Sequence, residues 1–470
     1  MRPQLHFLFD YVFPNIAMPN ALMTEYSIVN YLHSLHSDKL VPDAFSDPGQ
    51  YGNFAQTMFN NKLGKWPNSL RQNSSHLNSP FYTDHFEYIE NSLFFGKQSV
   101  DRYIYLIKVT PHLDDFIGVN LGTGNKANGE YFWKHMSSIA LKDVQEGKAF
   151  IFLDYAQENF IEKRTYENLH QCLLLSGIPK QQVILAFNAL NAQEVYESWF
   201  TPEERQLEVK SWPWVMCSAS WHYSNNPTQC VSFEELNETR FTLRENYFLF
   251  KVRSPRTHRL ILLIRMASDG LLEKADWSCL NYIHYTDVDL ENLSAYFQFE
   301  FDTEKTKELY NKVPHFLQSE IGSDYQSISA WTDKNADAHK NSYFYVCTET
   351  YAHGEYKMLT EKVFKPIVNF QPFFFVAYPG ALHKLRELGF KTFSPFIDES
   401  YDNETNEVTR IQKIYAEITR LCNMPKEEIH AWYWSMEDIL IHNHNRVLEL
   451  YKDDIKGIEL IKYLVERTSS

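Results

Sequence analysis

Two apolar runs, KAFIFLDYA at 148–156 and QQVILAFNA at 181–189, flank an amphipathic stretch, EKRTYENLHQCLLLSG at 162–177. Strands that read as unbroken apolar runs are buried on both faces, and a helical crossover between two of them calls for parallel pairing. The order therefore predicts a βαβ unit, its helix ended by Gly177, in a parallel sheet covered by helices. DRYIYLIKV at 101–109 begins this grammar, whereas the first 100 residues mix short aromatic-rich strands with connections rich in Asn and Ser.

After a polar, interrupted region at 201–240, a second series begins. Its expected elements are a strand at 247–252, a helix at 257–269, helical TEKTKELYNKVPHFL, a strand at 342–350 and a helix from about 360. A strand at 372–377, the helix GALHKLRELG, a final short strand FKTFSPF and a mostly helical segment from about 406 follow. A chain of 470 residues exceeds the size at which one core keeps growing, so two domains of roughly 200 residues each are expected. The divisions fall at 1–240, 241–415 and 416–470, with no internal repeat or low-complexity tract. In open parallel sheets, ligands sit beyond the carboxyl ends of the strands, so the strand-to-helix turns are where chemistry is sought.

Composition narrows the classes. Apolar residues make up 44% and charged residues 22%, which is globular rather than disordered, and the 16% aromatic content predicts a core of bulky side chains. The net charge of −15 argues against unspecific binding to nucleic-acid backbones, which rests on clustered Lys and Arg. The six cysteines are widely spread, with no CxxC and no spacing suited to zinc, and read as reduced, buried thiols in a cytoplasmic setting. No run reaches the roughly 18 apolar residues of a membrane span, and MRPQLHFLFDYVFP lacks a signal-peptide pattern.

Three turns carry charge. In KVRSPRTHRL, Arg253, Arg256, His258 and Arg259 follow a strand and open a helix, where free N–H groups and guanidinium forks together suit a phosphate or pyrophosphate. Solvated surface arginines are the plainer alternative. The next strand ends in Thr348, Glu349 and Thr350, and Thr360 then precedes Glu361 and Lys362 as a helix N-cap. A lysine in the first turn opposes the helix dipole unless an anion is bound there. Glu361 suits a pair of ribose hydroxyls and Lys362 the phosphates beyond, although a capping acid beside a solvated lysine fits the same residues. Tyr378, Pro379 and Gly380 form a tight turn that allows close backbone approach to a ligand. Asp398, Glu399 and Asp402 are suited to sugar hydroxyls, to orienting Lys362 or Arg256, or to capping the following helix.

Together, R..R.HR after a strand, then TET…LTEK.FKPI…PF, then LR.LGFKTF…DESYD resembles the donor-binding half of GT-B glycosyltransferases of the α1,3-fucosyltransferase-like group. The similarity is to bacterial and phage-type members carrying LTEK and GFKTF…DESYD, and it covers roughly 247–415. The N-terminal half matches in general layout, chiefly FIFLDYAQENF and QQVILAFNA. The resemblance implies two Rossmann-like domains facing a cleft, with C-terminal helices packing back on the N-terminal domain. It also implies transfer of a sugar, with GDP-fucose the leading donor, to a hydroxyl of a glycan, glycolipid or protein without a metal. By the resemblance, Arg253 or Arg256 and Lys362 would hold the diphosphate and Glu361 the ribose, with Arg259 a further candidate; the residues themselves add Thr348, Glu349, Tyr378 and Gly380 as donor-binding candidates at the neighbouring turns.

An inverting transfer needs a base. Glu158, at the end of the strand in FIFLDYAQENF, is preferred over Asp154, Asp114, Asp115 and His222. The DVD at 287–289 is a three-residue match to the metal-binding motif of the other large glycosyltransferase fold and carries little information. Two alternatives are a glycosyltransferase acting on a modified DNA base, which the negative charge disfavours, and a non-catalytic binding or virion protein on a degenerate fold. A binding protein has no need of Arg256, Glu361 and Lys362 together at adjacent strand ends.

Overall fold

The computed structural model describes residues 5–8, 86–88, 102–108, 138–155, 161–225, 227–252, 256–279, 336–352, 354–451 and 455–469. The chain divides into two units, Met1–Val215 with Asp454–Ser470, and Met216–Asp453. Each carries a parallel sheet with helices, so the α/β class expected from the alternating pattern is observed.

In the first unit, six strands pair in the order β2-β1-β3-β4-β5-β6. These are β1 (Leu5–Leu8), β2 (Phe86–Tyr88), β3 (Tyr103–Lys108), β4 (Ala149–Tyr155), β5 (Val183–Phe187) and β6 (Glu208–Ser211). Every pairing is parallel. The two runs that point to the class are the interior strands β4 and β5, and Ile151, Phe152, Leu153, Ile184 and Leu185 are fully buried. Between them, the helix Lys163–Leu175 turns Tyr166, Leu169, Cys172 and Leu173 to the core at three- and four-residue spacing. Gly177 ends it with φ of +64°. The chain returns there through Ile178 N–H to Leu173 O at 3.0 Å, the left-handed stop that favours glycine.

The second unit holds four parallel strands, β7 (Asn246–Val252), β8 (Ala275–Cys279), β9 (Ser342–Thr348) and β10 (Phe373–Val376), in the order β10-β9-β7-β8. All of β9 and β10 is buried. Phe248 stacks on its register partner Phe344 at 5.5 Å, and Phe374 meets Phe344 edge-on at 5.5 Å, so neighbouring strands share an aromatic ladder. Each buried Phe contributes roughly 2–3 kcal/mol of apolar burial, which explains how a short sheet serves as a core.

Three expectations change. The polar region at 201–240 contains edge strand β6 and two helices, Trp214–Asn225 and Phe233–Glu238. The chain divides at Val215, ahead of residue 240, because Ser220 Oγ donates to Val447 O and Val231 N–H to Asn369 Oδ1 (2.9 Å), tying this stretch into the second unit. FKTFSPF is not a strand: Pro395 has no N–H to give a ladder, Phe393 N–H goes to the carboxylate of Glu399, and the Phe393 ring packs on Phe373 at 5.2 Å. Of the C-terminal helices, Glu407–Cys422, Lys426–Trp434 and Glu437–Leu450 belong to the second unit, and Ile455–Ser469 joins the first. There Tyr463 OH donates to Glu208 and Arg467 lies 4.6 Å from the Phe150 ring. The expected helix at 303–317 lies outside the described residues.

Candidate functional site

Strands β7 and β9 are neighbours, and each runs at its carboxyl end toward a helix: Thr257–Ser268 after β7 and Glu361–Val368 after β9. The turns thus bring the first two charged constellations to the same end of the sheet, above its two interior strands. Arg256 is the N-cap of the first helix, with extended backbone, and its guanidinium lies 4.6 Å from the ring of Tyr351 in the loop after β9. A half-buried guanidinium resting on an aromatic face keeps its fork available to oxygens on its other side.

His258 and Arg259, one turn on, are buried. Both address the end of β9: His258 Nε2 lies 2.9 Å from Glu349 O, and Arg259 Nη2 donates to the same carbonyl at 2.8 Å and to Thr348 O at 3.3 Å. Arg259, expected to reach a ligand, therefore spends donors on backbone. Thr348 and Glu349 are likewise buried and form the frame of the site. The Glu349 carboxylate accepts the N–H of Thr350 (2.8 Å), the N–H of Thr360 (2.8 Å) and the Thr360 hydroxyl (2.8 Å), closing the loop between β9 and its helix. Arg410, from the helix Glu407–Cys422, holds that loop from another side by donating to Ala352 O at 2.6 Å. Burial pulls its guanidinium below the ordinary value, opposed by Glu407, Glu404 and Asp402. Nothing local in VTRIQK marks Arg410 as a site support. Its role rests on a carbonyl 58 positions away.

Thr360 is the N-cap, as the sequence suggested, with its hydroxyl 3.4 Å from Lys362 N. Glu361 is 5% exposed, and Lys362 Nζ lies 2.9 Å from its Oε1 and 3.3 Å from Thr360 Oγ1. A lysine near a helix N-terminus, where the dipole disfavours a cation, is held here by an adjacent buried carboxylate. The thiol of Cys347 registers how close these groups lie. Burial pushes it well above its ordinary value, Glu349 and Glu361 add to the rise, and Lys362 and Arg259 oppose it. Arg256, Arg259 and Lys362 against Glu349 and Glu361 leave a positive excess at the carboxyl ends of β7 and β9, suited to an anion with attached hydroxyls.

The third constellation behaves differently. Asp402 is buried, and its carboxylate accepts Leu382 N–H at 2.8 Å and His383 N–H at 2.9 Å. It thereby caps the preceding helix Ala381–Glu387, rather than a following one. Glu399 accepts from the Thr392 hydroxyl (2.8 Å) and Arg386 (3.2 Å), and Asp398 caps its own turn through Ser400 N–H (2.9 Å). Burial raises the Glu399 carboxyl above its ordinary value, partly offset by Thr392, Phe393 and Arg386. Gly380 has φ of +85°, and its N–H donates to Asp402 O. The turn needs glycine for backbone conformation, and the protein's own aspartate already occupies that helix start. Tyr378 is buried, its phenol pushed up chiefly by burial and then by Glu349, Asp402 and Glu387.

Arg253, Glu158, Asp114, Asp115 and the DVD at 287–289 lie outside the described residues. Asp154 sits on β4, paired in register with Lys108 and Ala186. His222, expected on the N-terminal side, lies in the helix Trp214–Asn225, beyond the division at Val215 and thus in the second unit. Among the described residues, no group of three or more His, Cys, Asp or Glu is arranged to hold a metal ion, and no helix is long and apolar enough to cross a membrane.

No family model and no curated protein matches this chain. Among solved structures, the N-terminal domain of Candida albicans trehalose-6-phosphate phosphatase is similar over 99% of this chain and 96% of that one, at 9% identity and a TM-score of 0.41. A likeness at that level carries no inference about what this chain does.

Proposed function

We propose that the chain is a nucleotide-sugar-dependent glycosyltransferase of GT-B type, fucosyltransferase-like, whose second unit binds the donor. The observation that carries this reading is the pairing of buried Glu361 with Lys362 at a helix start beside β7, where Arg256 opens the neighbouring helix. In this reading Arg256 and Lys362 take the diphosphate oxygens and Glu361 the ribose hydroxyls. As the glycosidic bond to the nucleotide breaks, negative charge grows on the departing diphosphate, and fixed cations at two helix N-termini stabilise it. The acceptor is a hydroxyl of a glycan, glycolipid or protein, and transfer inverts the anomeric centre with Glu158 as base. GDP-fucose is the leading donor, the reaction needs no metal, and it takes place in the cytoplasm.

Calorimetric titration with GDP, UDP, CMP and dTDP, on wild type beside Lys362→Ala, tests the donor site. Binding of one nucleoside diphosphate to wild type, weakened about 30-fold or more in the variant, is the expected result, since a charge-assisted contact contributes roughly 2–3 kcal/mol. Folded wild type that binds none of the four removes the basis of the proposal.

A further inference from the structure

We infer that Glu349 is a positioning residue, which sets the place of Lys362 without touching the ligand; the inference rests on the donor-site reading above. Glu349 is fully buried and bonds to β10, to the helix after β7 and to both ends of the loop after β9. Its N–H donates to Val376 O of β10 at 3.0 Å, and its carbonyl receives His258 and Arg259 from the helix after β7. Its carboxylate receives Thr350 and Thr360 from both ends of the loop leading to Lys362. Thr360 Oγ1, held at 2.8 Å from that carboxylate, is in turn 3.3 Å from Lys362 Nζ.

The chemistry demands a carboxylate rather than any polar side chain. Two backbone N–H groups and one hydroxyl converge on it, and both of its oxygens are used. An amide offers one acceptor oxygen and turns an NH2 toward a remaining donor, leaving a buried group unsatisfied. Charge matters as well, because a single hydroxyl, that of Thr360, stands between the carboxylate and the Lys362 ammonium. Lys362, which faces the ligand, is thus placed through Thr360 by an anion that does not.

The test uses the full chain, inorganic pyrophosphate as the anion probe, and amide exchange at Thr350 and Thr360 as a second readout. Glu349→Gln is expected to weaken pyrophosphate binding about tenfold and to speed exchange of both amides about tenfold or more, with unfolding still cooperative. If Glu349→Gln does not fold, the Thr360 pair decides. Thr360→Val, which removes the hydroxyl and keeps the shape, should weaken binding in the same direction, and Thr360→Ser should return it to within about twofold of wild type. Wild type that binds no pyrophosphate overturns the donor-site reading and this inference with it. Wild type that binds, with Glu349→Gln and Thr360→Val binding equally well, overturns the positioning role alone.

Discussion

Replacing Asp402 by Ala tests whether the acidic turn serves structure or ligand. The carboxylate, 3% exposed, is the acceptor for the Leu382 and His383 N–H groups at 2.8 and 2.9 Å. Loss of an N-cap side chain costs about 1–2 kcal/mol, and bonds to a buried charge contribute about 1.5–3 kcal/mol each without adding fully. Arg386, 3.8 Å away and 42% exposed, adds little because solvent screens it. The combined loss is about 2–4 kcal/mol. For a unit spanning Met216–Asp453 this corresponds to a fall in Tm of roughly 5–12 °C. Near-UV circular dichroism during thermal unfolding reads it, and Asp402→Asn, which keeps one acceptor oxygen, should lose about half as much. Nucleoside-diphosphate affinity of the folded variant should match wild type. A fall in Tm under about 2 °C, or normal stability with lost binding, refutes the capping argument and returns Asp402 to the ligand.

Two further outcomes follow from the same reasoning. Burial pulls the His170 imidazole, bonded to Tyr196 OH, down to about 4 from its ordinary 6.5, so the unfolded chain takes up a proton first as pH falls. Stability present above pH 6.5 is therefore lost toward pH 4, by about 3 kcal/mol from this group. Urea midpoints across that range should fall less steeply in His170→Gln than in wild type, and equal slopes would sink the assignment. At Gly380, an added Cβ meets nothing within 4 Å, so the cost of Gly380→Ala is conformational, about 1–2 kcal/mol for the left-handed backbone. Thermal unfolding should register that cost while nucleotide affinity holds; lost affinity in a folded variant would instead point to ligand approach at this turn.

What was legible in the chain follows from how local each cause is. β4, the helix after it, β5, β7, β9 and β10 declare themselves because uninterrupted apolar strands and three-to-four spacing are properties of short windows. The helix Trp214–Asn225 does not. It buries Met216, Cys217, Ala219, Ser220 and Tyr223, so it shows no clean polar face to alternate with an apolar one. β6, with the sequence EVKS, is drawn into the sheet by its pairing with β5 rather than by its own residues. At the site, the N-cap Thr360 and the neighbours Glu361 and Lys362 were readable from adjacency. The division of labour was not. That Glu349 faces inward while Lys362 remains partly exposed, and that Asp402 serves a helix some 20 positions earlier, depends on contacts between distant segments.

The path of the chain bears on how the molecule is made. The helix Ile455–Ser469 buries Leu460 and Leu464 within the unit that begins at Met1, yet the whole of Met216–Asp453 is synthesised before it. During translation the six-stranded sheet must wait, with the groove for that helix uncovered, while the four-stranded sheet emerges and folds. The second unit can mature as an uninterrupted stretch; the first cannot close until its helix, with Tyr463 and Arg467, has left the ribosome.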